Sequence, residues 1–299
     1  MLQEKRTVGS VAFNAVNAGF FILFTLVCIF PFYYLIINTL SDNQAAATGK
    51  VMFYPIGFHF QNYVDVMKIP GLLQAAFVSI SRTVVGTLLT LIGSTLLGYA
   101  FSKREYWARK FWYRFVVVSM YFNAGLIPWF LTVKMLGMYN TFWVYVLPPI
   151  VSGFYIILFK TYVESLPAAL EESAQIDGAG YVTRFTRIIL PLSAPIIATV
   201  AVFASVDQWN SFTDTLFLIQ DSKLYTLQFI LYQYLNEVNS IARMMRSSIQ
   251  AGMVDPSKIL TPTSIRMTVS VVVVLPIMLV YPFLQRFFVK GLLIGAVKG

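Results

Sequence analysis

Glu171-Glu172-Ser173-Ala174-Gln175-Ile176-Asp177-Gly178-Ala179 is followed by Ile188-Ile189-Leu190-Pro191, with nine residues between Gly178 and Ile188. This polar, acidic stretch interrupts two long apolar runs. In a membrane protein such an interruption must lie in water, because its polar groups have no partners in lipid. The patterning of the stretch indicates more than a connector, and we interpret it as a contact surface for another protein.

The composition places the rest of the chain in a membrane. Of 299 residues, 58% are hydrophobic and only 12% are charged, with a mean hydropathy of +0.70. A soluble domain carries about 25% charged residues, and a spanning helix needs about 20 mostly apolar ones. We therefore predict an all-α integral membrane protein with about six spans, at Asn17–Leu40, Leu73–Phe101, Phe111–Met138, Thr141–Tyr162, Pro191–Ile219 and Pro262–Phe288.

Small residues recur along the second predicted span. Glycine and threonine let neighbouring helix backbones approach closely in a membrane. We therefore predict close helix packing at four positions, which are Gly86, Thr90, Gly93 and Gly98.

Few side chains are suited to catalysis or metal binding. The first run follows Lys5 and Arg6 but is too long for a signal peptide, so we predict a retained helix. The sequence contains one cysteine, Cys28, and one histidine, His59. No second metal ligand lies near His59 in the sequence. We expect no disulfide, no metal site and no catalytic residue.

The basic residues predict the orientation. The tight group from Lys103 to Arg114 would lie between the second and third spans, and Lys or Arg near helix ends favours the cytoplasm. Both termini are then cytoplasmic, with the 164–191 loop and the 289–299 tail on the same side and the 41–72 and 220–261 loops outside. Topology and anionic lipid account for the net charge of +9, so we expect no nucleic-acid partner.

The 164–191 loop predicts a helix, a glycine turn and a second helix. Pro167 suits a first helical turn, and the residues up to Gln175 are mostly good helix formers. Gly178 and Gly180 permit a change of direction, after which a second helix covers Val182–Ile189. From these residues alone, a docking surface and an amphipathic connector resting on the lipid interface are equally favoured. We find no internal repeat and predict one membrane domain over residues 1–299.

The same loop resembles the signature of bacterial ATP-binding-cassette importer permeases. That signature is Glu-Ala-Ala, three residues, Gly, nine residues, Ile-x-Leu-Pro. Both spacings are matched by Glu172-Ser173-Ala174, Gly178 and Ile188-Ile189-Leu190-Pro191. The one departure from the signature is Ser173, where the family has alanine.

Other motifs are similar to the carbohydrate branch of that family, and to the second permease subunit of maltose-type importers. They are Ile176-Asp177-Gly178-Ala179, Trp209-Asn210 and the terminal Gly295-Ala296-Val297-Lys298-Gly299. The Asp255-Pro256 loop and Tyr281-Pro282-Phe283 resemble a subgroup for larger or acidic oligosaccharides, such as alginate or pectin fragments.

The resemblance implies a type I importer permease fold in a bacterial plasma membrane. The implied partners are a second, different permease subunit, two ATPase subunits that bind ATP and Mg²⁺, an external solute-binding protein and a carbohydrate substrate. The residues implied to couple to the ATPases are Glu172, Ser173, Ala174, Asp177 and Gly178, joined in the tail by Gly295, Val297, Lys298 and Gly299. The chain lacks a phosphate-binding loop, so we expect no enzymatic activity and no cofactor of its own.

Polar residues in the fifth span are candidates for the substrate pathway or its outer gate. They follow the spacing i, i+3, i+4 and i+7, which predicts one helix face, and are Asp207, Asn210, Ser211 and Asp214. Charged groups inside a span normally face protein or water. Hydrogen bonding to the partner permease is the alternative. Asn123 in the third span is a weaker candidate.

Three rival functions remain. An amino-acid or peptide importer would share the loop signature. A secondary transporter would be expected to show coupling groups near the midplane and often an internal repeat. A membrane-embedded enzyme would need a nucleophile, metal cluster or acid–base pair, for which the chain has little material.

Overall fold

The structure is a computed structural model that describes residues 8–236 and 266–279, and within these two ranges the regular elements are all helical. The predicted all-α fold is therefore confirmed. The chain divides into two compact units. One comprises Met1–Ile69 with Tyr234–Val272, and the other comprises Pro70–Gln233 with Val273–Gly299.

The first unit is built around one long apolar helix. Helix α1 (Val8–Thr39) is followed by two short helices, α2 (Asn43–Ala47) and α3 (Gln61–Met67). At 1.5 Å per residue, α1 is roughly 48 Å long, longer than the ~30 Å hydrocarbon core of a bilayer. Asp42 begins α2, because its carboxylate accepts hydrogen bonds from the backbone N–H groups of Gln44 and Ala45.

The second unit consists of helices arranged around α4. They are α4 (Leu72–Ser102), α5 (Arg109–Ser119), α6 (Leu126–Met135), α7 (Trp143–Val146), α8 (Gly153–Ser165), α9 (Ala169–Ile176), α10 (Tyr181–Arg184), α11 (Leu190–Leu192), α12 (Ala194–Asn210) and α13 (Thr213–Leu218). Two further helices, α14 (227–236) and α15 (Arg266–Leu279), run across the boundary between the units.

Helix α4 packs along α8 and α12, and the small residues in its sequence permit that contact. A Cβ atom on Gly93 would lie 2.4 Å from the carbonyl oxygen of Ile150, and one on Gly98 would lie 2.9 Å from the Phe159 ring. The close packing predicted for the second span is confirmed. Buried apolar clusters around Tyr145 and around Phe159 flank this contact.

By length and composition, α1 and α4 are the two described helices that can each cross a membrane alone. Two bent helix pairs raise the number of candidate spans to four. One pair joins Trp143–Ile150 to Gly153–Ser165 at 43°, and the other joins Tyr181–Leu192 to Ala194–Asn210 at 78°.

The prediction of one continuous third span over Phe111–Met138 is wrong. Helix α5 ends at Ser119 and α6 begins at Leu126. Gly125 has a φ of +86°, and its N–H donates to the Asn123 side chain at 2.8 Å instead of to a helical carbonyl. These two residues therefore break the span.

The fourth and fifth spans are also interrupted. Pro148 and Pro149 lack backbone N–H donors, so α7 passes into a 3₁₀ turn, Pro148–Ile150, before α8 begins. Helix α12 ends at Asn210 because Ser211 is extended, with a ψ of 129°. The first span begins earlier than predicted, at Val8, and the sixth is described only over Arg266–Leu279.

Candidate functional site

The 164–191 segment folds as the sequence predicts. Helix α9 is followed by a turn in which Gly178 has a φ of +83°, a backbone conformation that favours glycine. Helix α10 then begins at Tyr181 and passes into a π-helical turn, Phe185–Ile189. The predicted helix, glycine turn and second helix are confirmed, with boundaries shifted by one or two residues.

Glu171 ties α9 to the end of α4. One carboxylate oxygen accepts a hydrogen bond from the Tyr99 hydroxyl at 2.8 Å, and the other forms an ion pair with the Lys103 ammonium. That ammonium also lies 4.4 Å from the centre of the Tyr99 ring. We call Glu171, Lys103 and Tyr99 the Glu171 cluster. It connects the segment rigidly to a spanning helix.

Sequence reasoning named Glu172 among the residues that couple to the ATPases and did not identify the contact of Glu171 with the end of α4. The sequence did contain an indication of this contact. Tyr99 and Lys103 are four residues apart, so they share one polar helix face at the end of the second span that a carboxylate could meet. Nothing in the sequence showed which of two adjacent glutamates would meet that face.

The five predicted coupling residues lie on the accessible side of the same segment. Glu172, Ser173, Asp177 and Gly178 are exposed and Ala174 is half-buried. Ser173 donates to the carbonyl of Ala169 at 2.7 Å. Two apolar neighbours protrude beside them, since Ile176 is 86% exposed and Val182 is 76% exposed. The structure brings the five residues together on one small surface with an apolar component.

A second set of ion pairs braces the base of the segment. Glu164 accepts hydrogen bonds from Arg109 and from Lys160, both at 2.6 Å. Within the segment, Arg184 is buried and donates to the Gln175 side chain at 3.0 Å. These bonds fix α9 to α10 and α8 to α5.

A polar cavity of about 460 Å³ lies between α4, α7, α8 and α12–α13. Its polar, charged and aromatic lining residues are Arg82, Thr90, Trp129, Tyr145, Ser152, Tyr155, Asp207, Gln208, Ser211 and Asp214, and its aliphatic ones are Val144, Pro148, Pro149, Val151 and Ala204. Its size and its mixture of polar and aromatic walls suit a small polar ligand or part of a larger one.

Arg82 organises the cavity wall. Its guanidinium forms a bidentate pair with Asp214, at 3.2 and 2.5 Å, and bonds to the Gln208 side chain at 3.1 Å. It also lies 4.3 Å from the centre of the Tyr145 ring. We call Arg82, Asp214, Gln208 and Tyr145 the Arg82 cluster. Sequence reasoning missed Arg82, although a lone arginine within a predicted span is itself a signal.

The Arg82 cluster also explains the break in the fifth span. Arg82 donates to the carbonyl of Ser211 at 3.2 Å, which supplies a partner where the helix ends. The interpretation of Asp207, Asn210, Ser211 and Asp214 as one uninterrupted helix face is therefore wrong, since α12 stops at Asn210. The chain nevertheless brings Asp207, Ser211 and Asp214 to the cavity, whereas Asn210 is exposed outside its lining.

Of the remaining predicted site residues, Asp207 lies in the cavity and Asn123 does not. Asp207 accepts a hydrogen bond from the Tyr155 hydroxyl at 2.6 Å within the cavity. Asn123 lies in the break between α5 and α6 and does not line the cavity. Gly295, Val297, Lys298 and Gly299 lie outside the described residues, as do Asp255-Pro256 and Tyr281-Pro282-Phe283.

The chain is similar to known transport permeases over nearly its whole length. It is 34% identical over 287 residues to the polygalacturonan/rhamnogalacturonan transport system permease protein YtcP of Bacillus subtilis, covering 96% of this chain and 98% of the relative. It is 38% identical over 273 residues to protein LplC of Bacillus subtilis, covering 91% and 90%. It is 28% identical to the trehalose/maltose transport system permease protein MalG of Thermococcus litoralis, covering 93% and 94%.

A solved structure agrees with these relatives. A chain of a bacterial ABC transporter involved in the import of the acidic polysaccharide alginate superposes with a TM-score of 0.83 and 25% identity, covering 96% of this chain and 100% of that one. The family model described as "binding-protein-dependent transport system inner membrane component" matches residues 90–294, more than half of the chain. The protein therefore belongs to this family of inner-membrane transport permeases, which are not catalytic subunits.

Proposed function

We propose that this chain is one permease subunit of an ATP-driven, binding-protein-dependent importer that carries oligosaccharides across a bacterial plasma membrane by alternating access. The observation that carries the proposal is the match along nearly the full chain to a relative named as a polygalacturonan/rhamnogalacturonan permease. Relatives named for maltose and arabinooligosaccharides support the broader carbohydrate class.

The proposed ATPase contact is the exposed surface of α9 and the turn after it. Glu172 and Asp177 would pair with basic residues of an ATPase subunit, and Ile176 and Val182 would bury apolar area against it. Water-exposed apolar side chains of this size mark interaction sites. Two ATPase subunits would bind ATP and Mg²⁺, so this chain needs no cofactor. The tail residues Gly295, Val297, Lys298 and Gly299 would add a second contact.

The Glu171 cluster makes α9 part of the same rigid body as α4. When ATP closes the ATPase pair, the docked α9 must move with it, and the ion pair to Lys103 passes that displacement to α4. Arg82 lies 21 residues earlier on the same helix, roughly 32 Å away. Motion of one continuous helix would thus change the cavity wall.

The cavity chemistry fits a hydroxyl-rich ligand. Asp207 can accept hydrogen bonds from sugar hydroxyls, and aromatic rings such as Tyr155 and Trp129 offer faces to sugar rings. Because Asp207 is a carboxylate, it would repel a uronic acid carboxylate placed beside it. We therefore expect acidic oligosaccharides, such as pectin or alginate fragments, to present hydroxyls to this wall.

The remaining expectations concern assembly and orientation. A second, different permease subunit would complete the pathway, and a solute-binding protein would deliver the substrate from outside. Both termini would be cytoplasmic, since the basic group from Lys103 to Arg114 would then lie inside.

The test is reconstitution of the complex with its partner subunits in proteoliposomes, with and without the binding protein. Oligogalacturonides, alginate oligosaccharides, maltooligosaccharides and short peptides are offered separately, and ATPase activity and uptake are both measured. We expect ATP-dependent uptake of an oligosaccharide that requires the binding protein. Uptake of peptides alone would favour an amino-acid or peptide importer, and uptake by the isolated chain without ATP would favour a secondary transporter.

A further inference from the structure

The turn between α4 and α5, together with α5 itself, carries basic and aromatic side chains in alternation. The sequence from Lys103 to Phe115 is Lys-Arg-Glu-Tyr-Trp-Ala-Arg-Lys-Phe-Trp-Tyr-Arg-Phe. Lys110 and Arg114 are four residues apart on α5 and share one face, while Phe111 and Phe115 share the adjacent face. We call residues 103–115 the basic-aromatic segment.

Tyr106 and Tyr113 pack against the buried Phe101 ring, but three other aromatic side chains of this segment point away from the core. Trp107 is 78% exposed, and Phe111 and Phe115 are also exposed. Tryptophan and tyrosine concentrate at membrane–water interfaces, where an apolar ring and a polar edge are both satisfied. The exposed aromatic residues therefore place the segment at the level of the lipid headgroups.

The charges of the segment exceed their carboxylate partners. Glu171 is used by Lys103 and Tyr99, and Glu164 is used by Arg109 and Lys160. All four of these carboxylate oxygens are therefore occupied, and the segment's own Glu105, which is exposed, offsets one of the remaining positive charges. Within the described residues Arg104, Lys110 and Arg114 form no ion pair, and all three are exposed.

A cavity of about 430 Å³ opens beside Arg104, and its lining also includes Glu164 and Glu171, which pair with Arg109 and Lys103. Its wall brings Lys103, Arg104 and Arg109 together with the base of α9, at Pro167 and Ala168. Apolar residues, including Val163, Leu166 and Ile189, form another part of it. With Lys103 and Arg109 paired to the two glutamates, Arg104 is the cavity's cation without an ion pair among the described residues, and a cation beside an apolar wall matches a ligand that carries a phosphate next to hydrocarbon.

We propose that the basic-aromatic segment and this cavity bind the headgroup of an anionic phospholipid, of the phosphatidylglycerol or cardiolipin class. The phosphate lies against Arg104, with Lys103 and Arg109 at the sides, and the acyl chains pass beside Trp107 and the apolar face of α5. Lys103 also belongs to the Glu171 cluster, so the bound phosphate acts on the residue that holds α9 to α4. The site does not depend on which substrate the protein carries.

The experiment measures quenching of tryptophan fluorescence in the detergent-solubilised complex with its partner subunits. Brominated phosphatidylglycerol and brominated phosphatidylcholine are titrated separately, and a Trp107→Phe complex isolates the contribution of Trp107. We expect phosphatidylglycerol to quench Trp107 at lower concentration than phosphatidylcholine. Since one basic residue near an anionic surface contributes about a fivefold change in affinity, Arg104→Gln should raise the midpoint about fivefold.

The matched control removes an equal charge at the other end of α4. Lys223 lies there, because its backbone carbonyl accepts a hydrogen bond from Gln74, and its side chain is exposed. Lys223→Gln should leave the midpoint unchanged. Equal quenching by the two lipids, or an equal shift in Lys223→Gln, would overturn the proposal. So would reversal of the quenching by inorganic phosphate but not by sodium chloride of the same ionic strength, which would identify a free phosphate site.

Discussion

Helix α4 carries two ion-pair clusters that use the same chemistry in different surroundings. In the Arg82 cluster, the arginine and aspartate side chains are 3% and 12% exposed, and the pair joins α4 to the break in the fifth span. In the Glu171 cluster, the lysine and glutamate side chains are 14% and 18% exposed, and the pair joins α4 to a short surface helix. Both pairs are largely shielded from solvent, and the second is the more accessible of the two.

The difference in surroundings predicts different roles. A buried charge left without its partner retains the full cost of its lost hydration, so breaking the Arg82 pair should destabilise the fold. Water reaches the Lys103–Glu171 pair more easily than the Arg82–Asp214 pair, so breaking it should cost less stability. The Glu171 cluster should therefore matter for passing motion to α4 more than for folding.

The largest expected effect on the free energy of unfolding is at Asp214. Asp214→Asn removes the countercharge of a buried guanidinium, and we expect it to lower the free energy of unfolding by about 3–5 kcal/mol. The measurement is thermal or denaturant unfolding of the detergent-solubilised protein. The control is Asp65→Asn, which breaks the exposed Lys68–Asp65 pair (3.6 Å) and should cost less than about 1 kcal/mol.

A second variant separates lost pairing from lost packing. In Arg82→Met/Asp214→Leu no charge is left unpaired, so stability should recover in large part relative to Asp214→Asn. If Asp214→Asn and Asp65→Asn cost the same, the distinction between an enclosed and a surface pair would fail.

The next effect in size concerns the turn after α9. Gly178 has a φ of +83°, whereas Gly180 has a φ of −70°, and neither has another group within 4 Å of an added Cβ. Gly178→Ala should cost about 1–2 kcal/mol locally, because an L-residue disfavours the left-handed conformation. Gly180→Ala is the matched control without that cost.

The readout for these variants is recovery of the ATPase subunits with the purified permease. We expect reduced recovery for Gly178→Ala and normal recovery for Gly180→Ala, with membrane insertion unchanged in both. Equal recovery in the two variants would argue that the turn geometry is not needed for docking.

These clusters also show how far the sequence determines the site. The helix–turn–helix of residues 164–191 is local, so proline, helix formers and glycine predict it well. The Gly93 and Gly98 contacts follow from residue size along one helix. By contrast, Arg82 meets Gln208 and Asp214 more than 120 residues later, and periodicity within one span cannot reveal such a pairing.

The breaks in the spans illustrate the same point. Hydropathy treats Phe111–Met138 and Pro191–Ile219 as continuous, because it counts apolar residues and ignores where backbone groups find partners. At Gly125 the partner is the Asn123 side chain, a local signal that the sequence contained. At Ser211 the partner is Arg82, which only the tertiary structure supplies.

A smaller effect on stability is expected at Glu171. Glu171→Gln removes the charge that pairs with Lys103, and it should lower the free energy of unfolding by less than Asp214→Asn does, because Lys103 keeps more contact with solvent than Arg82. Under the proposed function, it should lower the ratio of substrate imported to ATP hydrolysed. The control is the adjacent Glu172→Gln, which removes a charge on the exposed side.

The two glutamate variants should fail in different ways. Glu172→Gln should weaken recovery of the ATPase subunits, since Glu172 faces outwards. Glu171→Gln should leave recovery intact and impair coupling, since Glu171 faces α4. Loss of ATPase recovery in Glu171→Gln would place this glutamate in the docking surface instead.

The smallest effect on stability is expected at Asp207, in the same cavity as Asp214. Asp207 is on the exposed part of the cavity wall and accepts a hydrogen bond from the Tyr155 hydroxyl at 2.6 Å, a bond that an asparagine oxygen can also accept. Asp207→Asn should therefore unfold like the parent protein and assemble normally. Uptake should nevertheless change, because the amide lacks the charge that strengthens hydrogen bonds from sugar hydroxyls. Comparison of Asp207→Asn with Asp214→Asn separates two roles within one cavity. Asp214 stabilises the fold, and Asp207 contacts the ligand. Impaired assembly in Asp207→Asn would assign this residue to the contact with the second permease.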